Sequence, residues 1–242
     1  MIMIPEMFER EELLIGKERL SRLSASSVMV VGVGGVGGYA IEALVRAGVG
    51  RIIAVDNDTV SVTNINRQII ADTQSVGKLK TEAAYERMMK INPALEFVRE
   101  DMFVTGENVD ELVKKYMPDY IIDAIDTVSS KLVLIVSAQL NGVRIVSSMG
   151  TGNKLDPEKL KLADIYKTSV CPLARVMRRE LKVRGVKKLC VLYSEEEPVR
   201  QVDGSAPVIK DNGRNAPGSI SFVPSVGGLM LASRVVRDII EL

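Results

Sequence analysis

The sequence predicts an α/β protein with a Rossmann-like, doubly wound sheet, and three observations support this. Short apolar runs typical of buried strands alternate with helical segments from residue 27 to about residue 149. A glycine cluster at 32–38 joins the first predicted strand to a helix, and Asp56 ends the second strand. Such alternation is typical of a mostly parallel sheet with helices on both faces.

Hydrophobic periodicity and end signals place the elements of the first 149 residues. A charged amphipathic helix is predicted at 9–23, ahead of the sheet. Strands are predicted at 27–32, 51–56, 95–100, 120–124 and 143–148. Helices are predicted between them, at 39–48, 76–91, 106–116 and 129–141.

The pattern changes after Gly150, where we expect antiparallel strands to extend the sheet. Strands are predicted at 160–166 and 188–194, a basic helix at 172–184 and a last helix at 224–240. Residues 194–218 are polar and contain three prolines. They are interpreted as a long exposed loop, and a mobile lid is one interpretation of it.

We expect one domain over residues 1–242. Its predicted parts are an N-terminal helical arm at about 1–26, a nucleotide-binding lobe at 27–149 and a substrate-facing lobe at 150–242. No apolar run reaches the roughly 18 residues that span a bilayer. Residues 1–6 also lack the basic cluster and apolar stretch of a signal peptide. We therefore expect a cytoplasmic protein without a membrane partner.

The composition limits the chemistry that the chain can perform. It contains no histidine and only two cysteines, Cys171 and Cys190, which excludes the usual tetrahedral zinc sites. Histidine is also the commonest general base. Catalysis must therefore rely on carboxylates, Lys, Arg, backbone dipoles or a metal ion held by phosphates. Both cysteines are interpreted as reduced thiols.

The glycine cluster is the first signal of a site. It contains GxGxxG, through Gly32, Gly34 and Gly37, between a predicted strand and a helix. Such a turn brings backbone N–H groups and a helix N-terminus against a phosphate. Asp56 ends the next strand, where an acidic group reaches ribose hydroxyls. The pattern predicts a nucleotide site, but alone it also fits NAD or a glycine turn that only packs helix on strand.

Cations close behind Asp56 favour a triphosphate over a dinucleotide. Asn64, Arg67 and Lys80 all follow it within the next predicted loop and helix. A pyrophosphate leaving group needs several positive groups to stabilise the charge that grows on its oxygens. From composition alone, Arg67 and Lys80 could equally belong to a solvated face.

Four stretches together carry a family resemblance: Gly32–Gly38, Asp56 to Gln68, Val76 to Lys80 and Ala124 to Val128. In this order they resemble the ThiF/MoeB/HesA superfamily of ubiquitin-activating-like adenylating enzymes. The resemblance implies that the protein binds ATP with Mg²⁺ and adenylates a carboxylate. It implies a nucleotide-binding set of Gly32, Gly34, Gly35, Gly37, Asp56, Asp58, Asn64, Arg67, Gln68, Lys80 and Asp126.

The resemblance also implies individual roles. Asp56 would bind ribose, and Asp126 would help to hold Mg-ATP. The phosphates would be addressed by Asn64, Arg67 and Lys80. Arg10 matches an arginine that reaches the phosphates of the partner subunit, which implies a homodimer with composite sites. By its surroundings alone, Arg10 would be a surface charge on a helix. The catalytic residues expected on this basis are Arg10, Arg67, Lys80 and Asp126.

The second half resembles the branch of tRNA threonylcarbamoyladenosine dehydratases, the TcdA type. The matching stretches are Asp164 to Val186, Val191 to Pro198 and Gly218 to Ile239. This branch implies ATP-dependent dehydration of threonylcarbamoyladenosine beside the tRNA anticodon. The carboxylate would be adenylated with release of pyrophosphate, and ring closure would then release AMP. Cys171 departs from the pattern, which has an acidic residue before Pro-Leu, and no role is assigned to this thiol.

A dense basic segment agrees with a tRNA substrate. Eight basic residues and one acid, Glu180, lie between Lys167 and Lys188. Four of the basic residues can share one helix face: Arg175, Arg178, Arg179 and Lys182. Such a patch suits a phosphate backbone, although the same residues could form an ordinary solvated face.

Other functions remain open from the sequence. A protein-modifying activator would adenylate the C-terminus of a ubiquitin-like sulfur carrier, but such members usually carry two CxxC pairs, which this chain lacks. An NAD-dependent oxidoreductase would leave Arg10, Arg67 and Lys80 without a role. A silent tRNA-binding protein would keep the motifs without activity. A bound monovalent cation and a sulfur-relay partner of a cysteine desulfurase system also remain open, whereas no zinc is expected.

Overall fold

The structure is a computed structural model that describes residues 6–200, 202 and 216–242. Within these residues, a seven-stranded sheet has the order β3-β2-β1-β4-β5-β7-β6. Its strands are β1 (Ser27–Val31), β2 (Arg51–Val55), β3 (Glu96–Glu100), β4 (Tyr120–Asp123), β5 (Arg144–Ser148), β6 (Leu160–Asp164) and β7 (Cys190–Ser194).

The helices of the described residues flank this sheet. They are α1 (Glu9–Ile15), α2 (Lys17–Ser24), α3 (Gly37–Arg46), α4 (Lys80–Ile91), α5 (Val109–Tyr116), α6 (Val128–Leu140), α7 (Pro172–Val183) and α8 (Phe222–Ile239). Within that part of the chain, no helix is long and apolar enough to cross a membrane.

Apolar side chains cover both faces of the sheet. Successive side chains of a strand point to opposite faces, and in β1 both sets are apolar and buried. Val28 and Val30 belong to a core that includes residues of α3, α4 and α8. Met29 and Val31 belong to a second core with residues of α5 and α6. A third apolar cluster joins α6, α7 and β7. The predicted doubly wound α/β fold is confirmed.

Residues beyond 150 add two strands of opposite orientation to the sheet. β7 runs parallel to β5, because β6 first returns the chain to the edge of the sheet where β5 began, and β7 starts from that edge. β6 runs antiparallel to β7. The predicted antiparallel extension is therefore found at β6, while β7 continues the parallel part.

Three of the predicted elements that differ from the structure do so for a clear physical reason or lie partly outside the described residues. The helix predicted at 9–23 is interrupted at Gly16, whose φ of +80° lies in the left-handed region and separates α1 from α2. The helix predicted at 76–91 begins only at Lys80, because Val60 N–H donates to the carbonyl of Lys78 at 2.8 Å and turns this segment back toward β2. The loop predicted at 194–218 is buried at Glu196. Its residues 201 and 203–215, and with them the lid interpretation, lie outside the described residues.

The strand order reverses beside β1, which has β2 on one side and β4 on the other. The carboxyl ends of these parallel strands open at one edge of the sheet. In open α/β sheets, ligands bind at this edge, in the crevice where the order reverses. The loops at 32–36, 56–58 and 124–127 all begin there.

Candidate nucleotide-binding site

Residues 32–36 form a tight glycine loop between β1 and α3. Gly32 has a φ of +92°, and a side chain there would come within 2.6 Å of the carbonyl oxygen of Ala124. A side chain at Gly37 would come within 1.8 Å of the carbonyl oxygen of Gly32. The loop therefore needs glycine at both positions. It directs the N-terminus of α3 toward the crevice, where the helix dipole favours an anion.

Asp56 follows β2 and is bonded to the glycine loop. Its Oδ2 atom accepts the backbone N–H of Val33 at 2.7 Å, and its Oδ1 atom accepts that of Asp58 at 2.8 Å. Burial raises the pKa of Asp56, while the charge of Lys80 and the two N–H groups lower it. An ionised carboxylate keeps lone pairs beyond these two bonds, so Asp56 can also accept ribose hydroxyls.

Lys80 begins α4 and reaches back to the aspartates. Its Nζ atom lies 2.6 Å from Asp58 Oδ2 and 4.0 Å from Asp56 Oδ1. The backbone N–H of Lys80 also donates to the carbonyl of Asp58 at 3.0 Å. An isolated β-bridge between Thr59 and Leu79 holds the two segments together. The structure thus gathers a buried cation and two carboxylates beside the glycine loop.

Asn64 ends a 3-10 helix at Val62–Asn64, and Gln68 lies in the turn that follows this helix. The buried Asn64 side chain accepts the N–H of Ser61 at 3.0 Å and thereby holds the turn. Gln68 is 6% exposed, and its Oε1 atom has no hydrogen-bond partner among the described residues. Its Nε2 atom faces the open side of Gly34. Gln68 therefore presents a buried amide toward the glycine loop.

Arg67 brings a cation to the same loop. Its guanidinium donates to the carbonyl of Thr63 at 2.7 Å and to Asn66 Oδ1 at 2.9 Å. In the described part of the chain, no ion pair joins it to a carboxylate, and partial burial lowers its pKa. The carbonyl oxygen of Arg67 lies against Gly35. A cation that pairs with no carboxylate of the described residues suits an anionic ligand.

Asp126 lies in the turn from β4 to α6. Its side chain is exposed, and its Oδ1 atom accepts the hydroxyl of Thr127 at 3.4 Å. Ala124, two residues earlier, is the residue that Gly32 approaches. The structure thus brings the turn of Asp126 to the same edge as the glycine loop.

Comparison with known proteins identifies the family of the chain. The ThiF family model matches residues 8–240. The tRNA threonylcarbamoyladenosine dehydratase of Bacillus subtilis (strain 168) is 42% identical over 241 residues, which cover 97% of this chain and 94% of that protein. The chain belongs to the ThiF family.

Two crystal structures of one other protein resemble the whole chain. They are the Escherichia coli tRNA N6-threonylcarbamoyladenosine dehydratase, TcdA, in complex with AMP and in complex with ATP. The AMP complex has a TM-score of 0.88 at 33% identity and covers 100% of this chain and 98% of that one. The ATP complex has a TM-score of 0.88 at 32% identity, with 99% and 98% covered. The predicted resemblance to the superfamily and to its dehydratase branch is confirmed.

Arg10 lies apart from the candidate nucleotide site of the same chain. It is exposed on α1, a helix with no buried residue. The preceding Phe8 is buried and packs near Gly48, just beyond the C-terminal end of α3. That end of α3 lies opposite its N-terminal end, where the glycine loop is. The structure therefore does not bring Arg10 to the other predicted catalytic residues.

The basic helix α7 presents three of its four predicted residues to solvent. These are Arg175, Arg179 and Lys182. Arg178 is half-buried instead and donates to the carbonyl of Thr168 at 2.8 Å and to its hydroxyl. Arg178 therefore braces the start of α7, whereas the other three form an exposed basic face.

The two thiols are shielded. Cys171 is buried immediately before α7, and Cys190 is partly buried in β7. Burial raises the pKa of Cys190, which disfavours the thiolate.

The sequence analysis missed a fully buried ion pair beneath Asp126. Lys131 in α6 lies with its Nζ atom 2.9 Å from Asp123 Oδ2, at the end of β4, and both side chains are 0% exposed. A signal was present in the sequence, because Lys131 is the only charged residue of α6, in the run VSSKLVLIVSAQL.

Proposed function

We propose that the protein is an ATP-dependent tRNA threonylcarbamoyladenosine dehydratase that adenylates the carboxylate of the modified nucleoside beside the anticodon. The observation that carries this proposal is the convergence of the glycine loop, Asp56, Lys80 and Arg67 at one edge of the sheet. The Bacillus subtilis relative of that name, matched nearly end to end, supports it.

The proposed nucleotide site uses the residues predicted from the sequence. N–H groups of the glycine loop and of the first turn of α3 bind phosphate, and Asp56 accepts ribose hydroxyls. Lys80 and Arg67 stabilise the charge that passes to the leaving pyrophosphate. Lys80 is already held close to this position by Asp58. The buried Gln68 amide, with a free acceptor atom, completes the wall of the site.

Asp126 fits a role beside the Mg²⁺ that accompanies ATP. Its exposed carboxylate follows β4, next to the glycine loop. Among the residues that the structure describes, no group of three or more potential ligands could hold a metal. Phosphate oxygens would therefore hold the ion together with Asp126, the usual arrangement for Mg²⁺ in nucleotide sites. The bound ion would offset phosphate charge.

The proposed reaction needs no nucleophile from the protein. The substrate carboxylate is ionised at neutral pH and attacks the α-phosphorus, which forms an acyl-adenylate and releases pyrophosphate. A nucleophile of the same nucleoside then attacks the acyl carbon, closes a ring and releases AMP, so one water is lost overall. Because this nucleophile is tethered, its effective molarity is very high. The shielded state of both thiols is in keeping with this chemistry.

The exposed basic face of α7 is the proposed contact for tRNA. The first turn of α7 lies near the carboxyl edge of the sheet, where the nucleotide site is, because Cys171 just before it shares an apolar cluster with Met149, which directly follows β5. Arg175, Arg179 and Lys182 lead away from that edge. A tRNA phosphate backbone along this face would bring a nucleoside within reach of the site.

A homodimer would supply Arg10 to the site. Leu13 and Leu14 on α1 are 89% and 84% exposed, and two large exposed leucines on a helix with no buried residue suit a protein interface. In a twofold dimer, each α1 would pack on the other protomer. Arg10 would then reach the phosphates of its partner.

We also propose that the chain forms a single domain with two lobes. We treat residues 27–149 and 150–242 as two lobes of one unit behind the arm at 1–26, since β5 of the first lobe pairs with β7 of the second. A tRNA substrate is in keeping with a cytoplasmic location. The proposed reaction needs no sulfur-relay partner.

Product mass tests the proposal. Purified protein is incubated with Mg-ATP and tRNA that carries threonylcarbamoyladenosine, and the digested nucleosides are weighed. We expect an ATP-dependent loss of one water, which Arg67→Ala abolishes. No change in mass, together with ATP–pyrophosphate exchange that depends on a ubiquitin-like protein, would instead support the sulfur-carrier alternative.

A further inference from the structure

The pair formed by Lys131 and Asp123 is the most deeply buried charge in the described residues that the proposed reaction does not use. Both side chains are 0% exposed, with Nζ and Oδ2 2.9 Å apart. The hydroxyl of Ser147 donates to the same Oδ2 atom at 2.5 Å. A buried ion pair is weak evidence for stability, because desolvation offsets its attraction. The pair is also hydrogen-bonded to the turn that follows β4.

Both charged groups also bond to the backbone of one residue in the turn, Ile125. Its N–H donates to Asp123 Oδ1 at 3.2 Å, and its carbonyl oxygen accepts Lys131 Nζ at 3.0 Å. The backbone N–H of Lys131 donates to the carbonyl of Thr127 at 3.0 Å. The turn 124–127 is thus fixed by hydrogen bonds at the N–H and the carbonyl of Ile125 and at the carbonyl of Thr127.

The held turn touches the nucleotide site on two sides. Ala124 N–H continues the sheet by donating to the carbonyl of Val31 at 2.8 Å, and the Ala124 carbonyl lies against Gly32. Asp126 directly follows Ile125, whose two polar groups the ion pair holds. A shift of the Ile125 peptide would therefore move the Asp126 carboxylate and loosen the contact with the glycine loop.

We infer that Lys131 and Asp123 are positioning residues that hold the turn 124–127 so that Asp126 meets Mg-ATP beside the glycine loop. The inference rests on the proposed function for the role of Asp126. The two residues touch no reacting atom, and they act through the backbone of the turn. Removing the charges should therefore weaken the metal-dependent part of nucleotide binding while the sheet stays intact.

The test uses neutral variants of similar size. Lys131→Met leaves Asp123 buried without its partner, which is strongly destabilising in itself. The main variant is therefore Asp123→Asn/Lys131→Met, which removes both charges. The matched control is Glu42→Gln/Arg87→Met, which removes another buried carboxylate together with its partner across α3 and α4, and also ends the pairing of Glu42 with Arg46.

Two measurements separate positioning from general stability. Hydrogen exchange of the protein without nucleotide should be faster at residues 124–127 in the main variant and unchanged there in the control. The dissociation constant for Mg-ATP, measured by calorimetry, should rise by roughly tenfold in the main variant, within the range of coupling between contacting residues. AMP binding without metal should change little. In an Asp126→Ala background, the same double substitution should add little to the Mg-ATP dissociation constant.

Unchanged exchange at 124–127, or a loss of Mg-ATP affinity that adds fully to that of Asp126→Ala, would overturn the inference. If the main variant does not fold, the same two measurements are made on Ser147→Ala, which removes only the hydroxyl bonded to Asp123. We again expect faster exchange at 124–127 and a higher dissociation constant for Mg-ATP. A wild-type protein that binds no Mg-ATP would contradict the proposed function, and hydrogen exchange would still decide whether the pair holds the turn.

Discussion

Lys80 and Asp58 form an ion pair at the edge of the sheet, with Lys80 Nζ 2.6 Å from Asp58 Oδ2. The two partners differ in burial, because the Lys80 side chain is 9% exposed and that of Asp58 is 58% exposed. Asp58 can therefore turn toward solvent while Lys80 stays in place. A nucleotide phosphate could take over the cation without a large movement of the protein.

This arrangement predicts that Lys80→Met lowers the rate of pyrophosphate release by roughly 100-fold or more, as for other charge-stabilising groups. The fold should persist, since methionine fills most of the same volume. The control is Lys78→Met, two residues earlier, whose partner Glu86 is 44% exposed. Pyrophosphate release is measured in single turnovers at saturating Mg-ATP. Equal rates for Lys80→Met and Lys78→Met would remove Lys80 from the mechanism.

Composite sites predict that two inactive variants complement each other. Arg10→Ala and Arg67→Ala should each lose most activity as homodimers. In a mixed dimer, one site carries both substitutions and the other carries neither. Because half of the dimers are mixed after equal co-expression, about one quarter of wild-type activity should return. Activity no higher than the average of the two separate variants would contradict a site shared between protomers.

The exposed face of α7 predicts a selective loss of tRNA binding. Arg175→Glu/Arg179→Glu/Lys182→Glu should weaken tRNA binding by roughly 100-fold or more, with a smaller salt dependence, because phosphate contacts are lost. ATP binding should not change. The control reverses three exposed charges elsewhere: Lys90, Lys114 and Arg237. Equal weakening in both triple variants would show that total charge, and not this face, binds tRNA.

Arg178 predicts a different effect on the same helix. It is half-buried and bonded to Thr168, so Arg178→Ala should lower the melting temperature more than Arg179→Ala does. Arg179 is itself 75% exposed and pairs with the neighbouring Glu180, a surface contact of little energetic value. Thermal unfolding of the two single variants measures the difference, and identical melting temperatures would contradict the bracing role of Arg178.

The raised pKa of Asp56 predicts how stability changes with pH. Burial raises this pKa above its usual value of 3.8, against the opposing charge of Lys80. Between 3.8 and the raised value, the folded state holds a proton that the unfolded state has lost. The free energy of unfolding of the wild type, relative to that of Asp56→Asn, should therefore fall as pH rises through this window. Urea unfolding at a series of pH values measures it, and a difference that rises with pH would contradict the burial effect.

The sequence predicts local features of the site well and tertiary ones poorly. Gly32, Gly37 and Asp56 follow from a strand, a turn and a helix that are close in the chain, and the structure places them together. The pairing of Asp123 with Lys131 could not be predicted, because it depends on how α6 packs over β4. The same reason applies to Arg178, whose spacing suggests an exposed residue while its bond to Thr168 depends on the path of the preceding loop.

Arg10 shows a second limit of sequence reasoning. Its expected role requires a second protomer, and neither local pattern nor the fold of one chain determines where that protomer lies. The start of α4 shows a third limit. The helix begins only at Lys80 because residues 78–80 form backbone hydrogen bonds with Val60 and Asp58, about twenty residues earlier in the chain. The roles of the individual site residues remain predictions.

The central claim is that the substrate carboxylate attacks the α-phosphorus of ATP, and an oxygen label tests it most directly. Threonylcarbamoyladenosine in tRNA is labelled with ¹⁸O in its carboxylate and incubated with the protein and unlabelled ATP, and the released AMP is weighed. The account predicts one ¹⁸O in each AMP, because the oxygen that bridges the acyl-adenylate leaves with the phosphate. Release of unlabelled AMP, or of labelled inorganic phosphate with ADP, would contradict it.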